Sequence, residues 1–196
     1  MDEKKTIRDI FEESVRAKEL FLSDDANIET IAGAANLIIK SIRKGGKVIV
    51  FGNGGSAADS QHIAAEFVVR FEKERRSLPC IALTANSSVL TAAANDYDFE
   101  KIFARQIEAL GKPSDVVIAI STSGESKNVL QAVRAARKIN IPVIAITGGS
   151  GGKLKKESEI AIVACSKNTA RIQEIHITAI HAICKVVEDA FACEGL

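Results

Sequence analysis

Neither sign of charge dominates this sequence: 26 Lys and Arg against 25 Asp and Glu leave a formal net charge of +1 over 196 residues. That argues against a protein held to nucleic acid by bulk positive potential. Local basic spots such as "EKERR" at 72–76 read as solvated loop. Cysteine is scarce and follows no paired pattern. Cys80, Cys165, Cys184 and Cys193 form neither CxxC nor a zinc-finger spacing. Beside an ample core they read as buried or incidental thiols of a reducing compartment. The opening "MDEKKTIRDIFEES" is charged and has no apolar signal segment. No apolar run approaches the roughly 20 residues needed to cross a bilayer. Internal repeats, low-complexity tracts and domain linkers are missing too. The expectation is a cytoplasmic chain with neither nucleic acid nor membrane as partner. Its length favours one domain over residues 1–196. A domain of that size buries roughly 70% of the surface its unfolded chain exposes, and 46% hydrophobic residues supply the core.

Residues 4–44 carry helical spacing and no strand pattern. Ile7, Ile10, Phe11, Val15, Leu20 and Phe21 recur near helical period. "SDDAN" at 23–27 interrupts them, with Asp25 or Asn27 placed to cap a second helix carrying Ile28, Ile31, Ala35, Ile38 and Ile42. Residues 1–45 therefore form an N-terminal helical extension. Five β-branched runs follow: "KVIVF" (47–51), "PCIALT" (79–84), "DVVIAIS" (115–121), "PVIAIT" (142–147) and "EIAIVA" (159–164). Nearly continuous in hydrophobicity, they read as strands covered on both faces. Helices are expected over 57–71, about 87–108, 126–138 and 170–192, and the glycine-rich link 148–158 has room for one helical turn. This alternation predicts an α/β fold, a three-layer αβα sandwich on a five-stranded, mostly parallel sheet.

In such sheets ligands gather beyond the carboxyl ends of the strands, and two of those ends share a chemistry. "GNGGSAADS" follows the first run; its glycines permit positive φ and close backbone approach. "STSGESKN" follows the third, with Ser121, Thr122, Ser123 and Ser126 around Gly124. The helix after Ser126 points N–H groups and a positive dipole end at that turn, which favours an anion. Neither turn matches a P-loop or a good dinucleotide fingerprint. Four hydroxyls without the G-K-[ST] lysine of a P-loop suit a sugar phosphate better than a nucleoside triphosphate.

"STSGES" resembles the S-x-S-G-x-[ST] phosphosugar loop of the sugar isomerase (SIS) domain family. "GNGGSAADSQHIAAEFVVRF", "LTAAANDYDFEKIFARQIEALG", "DVVIAISTSGESKNV" and "ARIQEIHITAIH" are similar, in order and spacing, to the phosphoheptose isomerases within it. The resemblance implies conversion of sedoheptulose 7-phosphate to D-glycero-D-manno-heptose 7-phosphate, the first step of ADP-heptose biosynthesis for lipopolysaccharide core. It also implies a homotetramer with active sites at subunit interfaces. By the same resemblance Asn53, Gly54, Gly55 and Ser56 line the sugar phosphate, Asn95 and Asp96 meet sugar hydroxyls, and Ser121, Thr122, Ser123 and Ser126 hold the phosphate. Arg70 reads equally as a surface ion pair beside "EKE". Two positions depart from the family pattern. Glu125 stands where many members have asparagine, and Ala170 where some have an acidic residue. A rival reading comes from SIS homologues that bind a replication initiator; they lose the glutamate and final histidine that stand here as Glu66 and His181. A different phosphosugar isomerase is the other alternative.

His62 and Glu66 are four apart on the helix leaving the first turn and share a face. Aldose–ketose exchange needs a carbon base, for which Glu66 is suited, and a second proton carrier near neutrality, for which histidine is. On the last helix Glu174, Thr178, His181, Lys185 and Glu188 make a polar stripe, while His176 falls on the Ile-rich side. His181 is thus the catalytic candidate and His176 an interior group. The resemblance makes Glu66 and His181 the proton-transfer pair and implies one zinc ion held by His62, Glu66, Gln173 and His181, with Gln173 also meeting substrate. Gln173 and His181 are eight residues apart, about 12 Å of helical rise. Either the helix is irregular near 173 or the two ligands come from different chains.

Overall fold

The β-branched runs become five strands, β1 (Val48–Gly52), β2 (Cys80–Ala82), β3 (Val116–Ser121), β4 (Val143–Gly148) and β5 (Ile160–Ala164), in a computed structural model that describes residues 2–192. Cys193 lies outside the described residues. Every pairing is parallel, in the order β2-β1-β3-β4-β5, so the sheet expected to be mostly parallel is wholly so. Side chains alternate between two cores, as the pleat requires. Val48, Val50, Ile118, Ile120, Ile144 and Ile146 point to one, filled by α2 (Asp25–Arg43), α3 (Gly55–Val68) and α8 (Thr169–Ala192). Ile49, Phe51, Val117, Ala119, Val143 and Ala145 point to the other, filled by α4 (Ser87–Asp96), α5 (Ala104–Leu110), α6 (Lys127–Lys138) and α7 (Gly152–Lys156). These are the three layers.

The two N-terminal helices differ in kind. α2 buries Ile31, Ala34, Ala35, Ile38, Ile39 and Ile42 and belongs to the first core. α1 (Glu3–Leu22) buries only Phe21 and leaves Ile7, Ile10, Phe11, Val15 and Leu20 exposed. The cap of α2 is Asp24, not Asp25 or Asn27. Asp24 is the residue with extended backbone, and its carboxylate accepts from Ala26 N at 3.1 Å. Asn27 instead donates its amide to Phe21 O at 2.8 Å, closing the corner between the helices.

The stretch expected as one helix over 87–108 is broken. α4 ends at Asp96, a 3-10 turn covers Phe99–Lys101, and α5 restarts at Ala104. Tertiary packing overrides helical propensity here: the break turns Ile102, Phe103 and Ile107 inward, and the Phe103 ring stacks 5.2 Å from that of Phe51. α7 is the helical turn expected in the glycine-rich link.

Strand order decides where a ligand can bind. The chain leaves β1 toward β2 on one side and returns to β3 on the other, so β1 and β3 are neighbours with divergent connections. The crevice beyond their carboxyl ends is the topological switch point, where open α/β sheets bind ligands. Both serine-bearing turns open there.

Candidate active site

The first turn is built on glycines that cannot be exchanged freely. A side chain at Gly52 would place its Cβ 2.6 Å from Ser56 Cβ and 2.9 Å from Ile120 O, so its absence lets the β1 turn close on β3. Gly54 has φ 55° and ψ −121°, a conformation only glycine adopts readily, and it caps α3 with no side chain involved. Gly54 and Gly55 are exposed, with Ser56 buried beneath them. Asn53 does not point freely into the crevice. Its amide and that of Asn128, on the first turn of α6, bond reciprocally: Asn53 Nδ2 donates to Asn128 Oδ1 at 2.9 Å and Asn128 Nδ2 to Asn53 Oδ1 at 2.8 Å. The two turns are thereby fixed to each other.

The second turn converges hydroxyls. Ser121 Oγ lies 3.0 Å from Ser126 Oγ and 3.5 Å from Ser123 Oγ, while Gly124 bends the turn at φ 66°. Ser126 caps α6 without giving its hydroxyl to the helix, leaving that N-terminus open for an anion. Glu125 adds no free charge beside the hydroxyls. Its carboxylate accepts from Lys153 N at 2.9 Å and Lys153 Nζ at 2.8 Å, and these bonds hold it below the usual carboxylate range.

The other candidate residues meet on the seam between α3 and α8. These helices run side by side in the same direction. The Gln173 amide abuts Gly55, where a Cβ would sit 2.3 Å from Nε2; two turns on, His62 faces His181; beyond α3, Phe71 faces Glu188. His62 Nε2 stands 2.9 Å from His181 Nε2 and 3.3 Å from Glu66 Oε1. A chain separation of 119 residues is thus closed to hydrogen-bond distance. The Phe71 ring lies 5.5 Å from that of His181.

α8 is helical without a break from Thr169 to Ala192, which overturns the expectation of an irregularity near 173. The seam explains the separation: Gln173 pairs with the start of α3 and His181 with its middle. The donor types around His62, two imidazole nitrogens and a carboxylate oxygen, suit zinc. Their spacing in this chain is that of a hydrogen-bonded pair. Ligands about 2.0–2.1 Å from a tetrahedral zinc stand farther apart than two nitrogens at that contact. Among the described residues no group of three or more His, Cys, Asp or Glu is arranged to hold a metal ion.

Other predicted residues fall elsewhere. Asn95 and Asp96 are exposed at the end of α4, and Asn95 Nδ2 donates to Asp96 Oδ1 at 2.8 Å; neither bonds to the turns. Arg70 pairs with Glu74 at 3.4 Å on the surface. His176 is fully buried, its Nε2 2.9 Å from Thr147 O beneath the second turn, as an interior group should be. Glu188 departs from the expected polar stripe: it is 1% exposed. The "EKERR" stretch is likewise no solvated loop throughout, since Arg75 is buried and salt-bridged to Glu188.

Two residues escaped the sequence reading. Asn128 gave no sign of its pairing with Asn53. Asp59 did carry a signal, since positions 55, 59, 62 and 66 form one helical stripe. It lines an open groove of about 450 Å³ with Gly55, Gln173 and Glu174. Burial pushes its carboxyl up, more than His62 and His181 pull it down.

Residues 12–148 match the SIS domain family. The phosphoheptose isomerase of Thermodesulfovibrio yellowstonii is 52% identical over 183 residues, 93% of this chain and 90% of that protein. The structure of a phosphoheptose isomerase from Neisseria gonorrhoeae overlays with a TM-score of 0.89 at 40% identity, covering 95% of this chain and 98% of that one. One from Francisella tularensis does so with a TM-score of 0.92 at 40% identity, covering 96% and 100%.

Proposed function

The chain belongs to the SIS domain family and to its phosphoheptose isomerases, and on that footing we propose that it interconverts sedoheptulose 7-phosphate and D-glycero-D-manno-heptose 7-phosphate. The observation that carries this reading is the meeting of His62, Glu66 and His181 on one seam, leading up to the glycine turn at the switch point. Glu66 removes the proton from the carbon beside the carbonyl and returns it to the neighbouring carbon. His181 carries the hydroxyl protons, and His62, between the two, keeps carboxylate and imidazole in register. Glu66 is 20% exposed and His62 43%, so substrate reaches both from the open side of the seam. The hydroxyls of Ser121, Thr122, Ser123 and Ser126 with the α6 N-terminus take the phosphate. A zinc ion, held by His62, Glu66 and His181 with Gln173 from a second copy, would supply Lewis-acid polarisation of the carbonyl.

The assembly we infer is a homotetramer whose sites lie at subunit interfaces. The exposed apolar stripe of α1 supports it, as does the groove of about 210 Å³ between α1, α2 and α8 lined by Phe21, Leu22, Ile28, Ile31, Ile175 and Ala179. No described helix is long and apolar enough to cross a membrane. We place the reaction in the cytoplasm, as the first step toward ADP-heptose for lipopolysaccharide core.

The test is direct. Purified protein mixed with sedoheptulose 7-phosphate yields the aldose phosphate, and Glu66→Gln and His181→Gln each lower kcat by about 100-fold or more with the fold and phosphate affinity retained. Undiminished turnover in Glu66→Gln removes it as the base. A wild-type protein that leaves the ketose untouched removes the reading altogether.

A further inference from the structure

Segment 69–76, "VRFEKERR", is held by two buried charges that the proton-transfer scheme does not use. Glu188 on α8 is 1% exposed, and its carboxylate accepts three successive backbone N–H groups. Phe71 N donates to Oε1, and Glu72 N and Lys73 N to Oε2, each at 2.8 Å. Arg75 is the complement. Its Nη1 donates to Phe67 O at 2.9 Å and Arg76 O at 3.0 Å, its Nη2 to Glu66 O at 2.7 Å, and its Nε stands 3.5 Å from Glu188 Oε1. The carboxylate thus collects the donors of the segment, and the guanidinium collects the acceptors at the carboxyl end of α3.

A surface loop needs no buried ion pair, and this one has consequences at the candidate site. The carbonyl of Glu66 itself is one of the groups Arg75 fastens. The segment also lays the Phe71 ring 5.5 Å from that of His181, which has the His62 ring as a second neighbour at 5.1 Å. His181 therefore contacts both a ring held by the Glu188-bound segment and a ring carried on α3.

We propose that Glu188 and Arg75 are positioning residues for the proton-transfer pair: through the strap 69–76 they fix the end of the helix bearing Glu66 and the aromatic backing of His181. This rests on the isomerase reading above. Geometry of the pair, not affinity for the phosphate, is what the strap controls, because the first turn sits at the other end of the seam, against Gln173, and the second is joined to it through Asn53 and Asn128. Misplacement by about 1 Å is enough to cost up to 100-fold in rate.

The test uses the full chain and E188Q, which keeps the shape but sets an amide N–H against backbone N–H groups, alongside F71L, which keeps the clamp and removes the ring. Each lowers kcat by about 10- to 100-fold with KM for the sugar phosphate within about twofold, and the double variant is no slower than the slower single one. Independently of turnover, the His181 Hε1 proton resonance carries the ring current of Phe71. E188Q moves it in the same direction as F71L, while E188D leaves it nearer the wild-type position. An unmoved His181 resonance in folded E188Q overturns the proposal, as does F71L with wild-type kcat. Should E188Q fail to fold, F71L and E188D carry the measurement. A wild-type protein inactive on the heptose phosphate counts against the reaction, and the resonance shifts still decide the strap.

Discussion

Gly54 is the residue whose replacement speaks most directly about the first turn. Its φ of 55° with ψ of −121° lies outside what an L side chain adopts without strain, and nothing crowds its missing Cβ. Gly54→Ala is therefore a test of backbone conformation alone. It should lower stability by about 1–3 kcal/mol, read from urea unfolding, and raise KM more than it lowers kcat. A neutral substitution would mean that the turn relaxes without cost. The pair formed by His62 and Glu66 was legible in the sequence, because a spacing of four puts both on one face directly behind a recognisable turn. Arg75 and Glu188 were not. A charged residue in a run of charges carries no mark of burial, and their partners are backbone groups that any sequence supplies. Asn53 illustrates the same limit, since its place in the turn was clear but its amide belongs to Asn128.

The long last helix gives the pH dependence. Burial pushes the imidazole of His176 below its ordinary 6.5, against the bond to Thr147 O. Burial also pushes the Glu188 carboxyl up, but its three amide donors and Arg75 outweigh that and leave it below its ordinary 4.5. Both groups refuse a proton in the folded state that the unfolded chain accepts, so both contributions are complete at high pH and lost on acidification. The midpoint of urea unfolding should begin to fall below about pH 6.5 and fall more steeply below about 4.5. His176→Gln should remove the upper part of that decline, and a midpoint constant between pH 7 and 5 would contradict it. As elements, the strands were the easiest to foresee, since β-branched runs with no polar alternation have few other uses. The 87–108 stretch was misjudged because helical propensity does not know that Phe103 has a place against Phe51. The order of the strands left no local trace, and it is the order that puts both turns at one crevice.

For the molecule as a whole, α1 is the feature with unfinished packing. Phe11 is 70% exposed, and Ile7, Val15, Leu20 and Leu22 are each more than half exposed. A helix with that face uncovered costs solubility unless another surface meets it. On the tetramer reading, Phe11→Glu should shift the mass seen by light scattering toward smaller species, and unchanged mass at micromolar concentration would place the interface elsewhere. The helix is tied to the rest of the chain near the candidate site, through Arg171, which donates to Ile10 O at 2.8 Å and pairs with Glu13 and Glu174.

The side-by-side course of α3 and α8 makes the site sensitive to phase. Deleting one residue between Gln173 and His181 would turn everything beyond it by about 100°. Gln173 would keep its place against Gly55, while the imidazole swung away from its partner. Changes of residue can be absorbed along these two helices, but changes of length cannot.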